Sequence, residues 1–300
     1  MQAADNPLLA DAREAFLHAC RLDVEAAKPG NVSVHSAGHG MTSAQFIESA
    51  EAAAGALFVQ GAPAGARILD AVTRTREAVG CNTNLGIVLL AGPLAAALDE
   101  PGCAATAATW HAATERVLAR LDLDDARAAY RAIALANPGG LSDAPEQSVH
   151  AAPTVDLRAA MTLAAFRDSI ARQYANGFSD VFDTGLAAVR GWPSRTPDAI
   201  VTLDVFLTFL GRWPDSHIVR KHGETVAQSV TREARLWHEE WRRALARPAE
   251  VPDALRLSAW DTGLKARGIN PGTSADLTVA TLFVANLLER TQTGRPATRI

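Results

Sequence analysis

Cysteine is scarce in this 300-residue chain, and only Cys20, Cys81 and Cys103 occur. An odd number without Cys-x-x-Cys spacing gives no basis for a disulfide framework or a thiolate zinc site. A basic excess is also missing: 29 Lys and Arg stand against 33 Asp and Glu, for a formal charge of −4. That balance argues against sequence-independent nucleic-acid binding, which needs a dominant basic surface. Small anionic ligands remain open, because local clusters rather than net charge bind them. No hydrophobic run is long enough for a confident membrane span, since the uncharged stretch Cys81 to Leu98 opens on polar residues and contains Pro93. Met1 to Asn6 shows no basic segment followed by an apolar one, so no secretion signal is read there and a cytoplasmic location is expected. Phosphate-loop, dinucleotide and nucleophile-elbow glycine motifs are absent, and no His is followed directly by Asp. His35 and His39 are four apart, but Gly38 and Gly40 interrupt any helix that would align them on a metal.

Alternating Val, Ile or Thr runs are lacking too, and the periodicity that is present is helical. Phe16, Cys20 and Val24 fall four apart. Val226, Val230, Trp237, Trp241 and Leu245 form one stripe, read as core, and Leu277, Thr281, Val284 and Leu288 form another. Thr42 with Gln45 fits a capping box, and Pro271 stands where a helix can start. The fold class is therefore all-α, with helices expected near 8–27, 42–60, 64–79, 84–98, 104–120, 123–136, 156–174, 178–190, 198–211, 215–221, 223–247, 253–267 and 273–292. Gly139, Gly140, Pro145 and Pro153 make 136–153 the best internal break. Polar loops lie on both sides of it, so a single multi-helix domain over 1–300 with a central polar pocket is expected.

Those loops are the informative part. They read Lys28-Pro29-Gly30-Asn31-Val32 with His35 and Gly38-His39-Gly40 behind; Gly80-Cys81-Asn82-Thr83-Asn84-Leu85-Gly86; Asp215 to Gly223; and Asn270-Pro271-Gly272-Thr273-Ser274-Ala275-Asp276-Leu277. Each sets Gly or Pro beside donors and carboxylates near the start of an apolar helical stretch. Helix N-termini carry unpaired N–H groups, so this placement suits a bound anion such as phosphate.

At these loops the chain resembles the triphosphoribosyl-dephospho-CoA synthase family. The likeness runs through Lys28-Pro29-Gly30, Gly38-His39, Met41, Phe46 and Ser49; Asn82-Thr83 and Gly86; Asp215 to Gly223; and Pro271-Gly272 with Ser274 to Leu277. Two positions depart from the family pattern. Gly40 stands where members carry Asp, and Asn84-Leu85 where they tend to carry His-Lys. The donor chemistry is thus expected to carry over, with the acceptor open.

The resemblance implies transfer of the triphosphoribosyl part of ATP to the ribose 2′-hydroxyl of dephospho-CoA with loss of adenine, supported by Mg2+. Its oxocarbenium-like transition state calls for a carboxylate near the acceptor hydroxyl, a proton or hydrogen bond for the departing base and cations for the triphosphate. Catalytic candidates are Asp276, Glu48 and His39. Lys28, Arg220, Lys221 and His222 are candidates for the triphosphate. Asn31, Asn82 and Asn84 offer amides to ribose or base, or else form turns and caps. His35, Asn270 and Ser274 complete the substrate-binding set. Asp180 and Asp183, three apart, and Asp215 are the metal candidates. The expected partners are a nucleotide and a phosphorylated small-molecule acceptor, with no nucleic acid and no membrane; a homodimer is an open option. Competing readings are pentosyl transfer to another phosphorylated or ribitol-containing cofactor precursor, and a non-catalytic helical nucleotide-binding or scaffold protein.

Overall fold

The computed structural model describes residues 6–34, 36, 40–138, 151–245 and 254–293. Within them the chain runs through fourteen α-helices and no strand. They are α1 (Pro7–Glu25), α2 (Ser43–Leu57), α3 (Ala64–Val79), α4 (Leu85–Ala97), α5 (Ala107–Arg120), α6 (Leu123–Ala136), α7 (Leu157–Ala164), α8 (Ser169–Asn176), α9 (Leu186–Arg190), α10 (Asp198–Arg212), α11 (Ser216–His222), α12 (Glu224–Leu245), α13 (Ala254–Ala266) and α14 (Gly272–Thr293). The all-α expectation stands.

Two helices explain the arrangement of the rest. α4 is buried along nearly its whole length, Pro93 included. α14 buries Leu277, Val279, Ala280, Leu282, Phe283, Val284, Leu287 and Leu288. A helix apolar on all sides must be interior, so these two form the axis of the molecule. α1, α10 and α11 pack on α14, while α2, α3, α5 and α8 pack on α4. Phe283 meets Phe16, Phe58 and Trp110 edge-on, with ring centroids 5.9, 5.7 and 5.4 Å apart. Such edge-to-face contact adds to the apolar burial.

A smaller apolar cluster joins α10, α11 and α12 to Trp260 and Leu264 of α13. Trp241 is buried in it and Trp237 stacks on Trp260 at 5.9 Å, so the tryptophan stripe is packing. Asp204 of α10 is fully buried beneath it, held by His238 (2.6 Å) and Arg242 (2.7 Å) of α12.

Three expected helices differ in detail. The span 156–174 breaks into α7 and α8, because Asp168 accepts from Ile170 N–H and Ala171 N–H and starts a new helix. The span 178–190 opens with a wider π-helical turn at Asp180–Gly185 before α9; Gly177 and Phe178, both at positive φ, end α8 just ahead of it. The span 104–120 starts as a short 3-10 turn, Cys103–Ala105, and the capping box of Thr106 and Thr109 then opens α5. The proposed break at 136–153 falls mostly on 139–150, outside the described residues. No helix among the described residues is long and apolar enough to cross a membrane.

Phe283→Ala should cost about 3–5 kcal/mol, the usual range for truncating a buried aromatic. Equilibrium urea unfolding reads it; a loss below about 1 kcal/mol would show that the axis is not held by this aromatic knot.

Candidate active site

The N-terminal turn of α14 gathers the polar loops. Asp215 caps α11 by accepting His217 N–H (2.9 Å) and Ile218 N–H (3.2 Å) on Oδ1. Its Oδ2 accepts Ser274 N–H (2.7 Å) and Ser274 Oγ–H (2.8 Å), which fastens the start of α14. One carboxylate thus serves two helix N-termini, where negative charge is favoured. The first loop locks against the same place. Gly30 has φ of +79°, and a β-carbon there would sit 2.8 Å from Pro271 Cδ, so only glycine lets the two loops touch. Asn31 Nδ2 donates to Asn270 Oδ1 (2.9 Å). Gly30 N–H donates to Asp261 Oδ1 (2.8 Å) of α13. The second loop arrives through α4: a β-carbon on Gly86 would collide with Asp276 Oδ2.

Around this junction lies a cavity of about 940 Å³. Asn31, Asn82, Arg220, Lys221, Asn270 and Asp276 line it together, so segments from all four loops share one wall. Asn84 gives α4 no side-chain cap, but Asn82 Oδ1 accepts Leu85 N–H (3.2 Å), and Asn82, Thr83, Leu85, Gly86 and Ile87 bring that helix start to the cavity. Arg76 at the end of α3 and Arg167 before α8 add exposed cations at its edge.

The charge balance is uneven. Asp276 titrates well above the ordinary carboxylate range, chiefly because burial disfavours its charge, with Asp23, Asp215 and Asp168 adding repulsion and Arg220 opposing. Its carboxylate accepts no hydrogen bond among the described residues. Asp23 is raised by burial against the pull of Lys28, and Asp215 by burial against its hydrogen bonds to Ser274 and Ile218. Arg220 is steered by Asp168 at 2.7 Å.

Several expected site residues face elsewhere. Lys28 is 1 % exposed, its ammonium 3.0 Å from Asp23 Oδ1 and donating to Asn31 Oδ1 (3.0 Å). It therefore stands behind the wall, neutralising Asp23 and orienting Asn31, and does not reach a triphosphate directly. Asn84 is buried and donates to Ser49 O and Thr75 Oγ1, each 3.2 Å, which ties α4 to α2 and α3. Ser274 is spent on Asp215. His222 lies outside the cavity lining, its Nε2 3.1 Å from Gly268 O. Glu48 is exposed on α2 and away from the cavity. The metal assignments need the same correction. Asp180 is occupied by Arg172 (2.8 Å) and Gln173 (2.6 Å), Asp183 is exposed outside the cavity lining, and both Asp215 oxygens are taken by N–H and O–H donors. Among the described residues no three His, Cys, Asp or Glu side chains converge to hold a metal. His35 and His39 lie outside the described residues.

The cavity also presents residues that the sequence reading passed over: Asp23, Arg76, Arg167, Asp168 and His217. His217 lay inside the Asp215 to Gly223 loop already singled out, though without a role of its own, and Asp168 carried a signal as an Asp ahead of Ser169 that could have been read as an N-cap.

The chain is similar to known proteins over most of its length. A family model described as ATP:dephospho-CoA triphosphoribosyl transferase matches residues 9–295. The fold is similar to the crystal structure of a protein from Archaeoglobus fulgidus assigned as a triphosphoribosyl-dephospho-CoA synthase. The TM-score is 0.61 at 25% identity, covering 79% of this chain and 96% of that one. No curated protein matches the sequence.

Asp276 has a folded pKa above its unfolded value, so ionising it costs folding stability; the loss begins as pH rises past about 4 and is complete above the folded pKa. Asp276→Asn should therefore match the parent's thermal midpoint near pH 4 and exceed it at neutral pH without ligand. A variant less stable at neutral pH would mean that the carboxylate is compensated after all.

Proposed function

The chain belongs to the ATP:dephospho-CoA triphosphoribosyl transferase family, and from that premise we propose that its cavity moves the triphosphoribosyl group of ATP onto the ribose 2′-hydroxyl of dephospho-CoA and releases adenine. The observation that carries this reading is that Asn82, Arg220, Asn270 and Asp276, from three separate loops, border one space. Arg220 and Lys221 of α11 take the triphosphate, aided by the Gly86 and Ile87 end of α4, whose first N–H is held by Asn82 Oδ1 (3.2 Å). A guanidinium already steered by Asp168 loses little freedom on binding.

Asp276 is the base. Burial and neighbouring acids raise its pKa from the ordinary carboxylate value, which makes it a stronger proton acceptor than a solvated Asp. It takes the proton of the acceptor hydroxyl as that oxygen bonds to the anomeric carbon. The bond from that carbon to adenine breaks, and its electron pair leaves with the base. His217, half-buried at the start of α11 and lining the cavity, supplies the hydrogen bond or proton that the departing purine needs. Mg2+ fits as an ion carried on the triphosphate, since Asp276 is the sole cavity carboxylate without a hydrogen-bond partner or paired cation among the described residues and no three-ligand cluster exists there. It would supply charge neutralisation for the phosphates.

Incubation with ATP, Mg2+ and dephospho-CoA should yield adenine and a covalent triphosphoribosyl adduct in equal amounts, read by chromatography and mass; formation of ADP or AMP alone would rule out glycosidic transfer. Asp276→Asn should lower kcat by about 10²–10⁴-fold, the span typical of a lost general base. Arg220→Ala should act mainly on the KM for ATP. Equal effects of both on a single parameter would contradict the division of roles.

A further inference from the structure

The cavity wall is chemically divided. Its charged and amide groups come from the loops and from α11, α14 and the end of α3. A second set of lining residues comes from α4, α6, α7 and α8, which pack on one another: Leu89, Ile133, Ala160, Met161, Ile170 and Ala171, with Tyr130 of α6 among them. Three of the helices in this wall bring alanine to it, which leaves width between them. Asn137, in left-handed conformation at the end of α6, places an amide at its margin. Surface of this kind cannot hold a triphosphate, because phosphate would lose its hydration with no donor in return. It suits an uncharged arm with a few amide groups.

Both substrates contain a purine, so the occupant has to be decided between donor and acceptor. The leaving adenine needs a ring donor, and the described His at the cavity is His217, on the loop side. That position puts the donor's base beside α11 and leaves the apolar wall to the acceptor. We infer that the recess between α4, α6, α7 and α8 binds the pantetheine arm of dephospho-CoA, with Ala160, Met161 and Ala164 of α7 setting the room available. The inference rests on the proposed reaction and names the part of the acceptor that this chain selects. The diphosphate then joins the end of the arm to the reacting ribose, which lies at Asp276.

Calorimetry separates this recess from the reaction itself. Ala164→Phe fills the space from a half-buried position on α7. It should weaken dephospho-CoA binding at least tenfold while leaving the Kd of ATP unchanged and leaving the weaker binding of ADP, the same acceptor without its arm, unchanged. Met161→Ser adds no bulk, and should weaken dephospho-CoA several-fold with the same selectivity, which covers the case in which the larger side chain prevents folding. Loss of ATP affinity in a variant that keeps the parent's thermal unfolding transition would assign the wall to the donor's base and overturn the inference. So would unchanged dephospho-CoA affinity in both, while adenine release by the parent enzyme would leave the reaction standing.

Discussion

The start of α14 is the constraint on which the site depends. Its first turn has to accept Asp215 from one loop, Pro271 against Gly30 from another and Asp276 against Gly86 from a third. These contacts have little tolerance: two rely on the absence of a side chain, and one on a carboxylate shared between two helix N-termini. α14 can serve as the hub because it is largely buried from Leu277 to Leu288, held by the aromatic knot around Phe283. Core packing and site geometry are therefore properties of one helix. A shift of its axis would move every loop at once.

The same junction concentrates negative charge in a poorly solvated place. Asp23, Asp215 and Asp276 all titrate above the ordinary carboxylate value because of burial. Two are compensated, Asp23 by Lys28 and Asp215 by four donors. Asp276 is left with only the distant pull of Arg220. Folding alone would favour an uncharged residue there, which is why the proposed reaction gives this carboxylate the proton-accepting role. This pattern of one uncompensated group beside several satisfied ones marks a functional position more clearly than charge counting does.

Much of this was legible in the residues. Helical periodicity and caps placed most of the helices, since α1, α12 and α14 carry regular apolar stripes and α2 a clear start signal. Gly and Pro beside amides and carboxylates marked the loops that meet at the cavity. Which way each side chain turns was not legible. Lys28, Asn84, Ser274 and Asp215 have the chemistry of ligand-binding groups but spend it on partners 2 to 59 residues away in the sequence, and the long-range part of that pairing is set by tertiary contact. Asp23 reads as an ordinary acid late in a helix until Lys28 folds onto it. Asp168 and Arg167 were hidden because 156–174 looks like one uninterrupted helix, and the turn that exposes them depends on a single capping Asp. The apolar recess had no sequence signature, because its residues are indistinguishable from core until four helices fail to close over them.

The central claim is that loops distant in the sequence form one nucleotide-sized space organised by α14. A crystal structure with ATP and dephospho-CoA bound tests it most directly. The account predicts a single ligand cluster touching Asn82, Arg220 and Asp276 at once, with the acceptor's 2′-hydroxyl at the Asp276 carboxylate. Nucleotide bound at another surface, or Asp276 remote from both sugars, would contradict it.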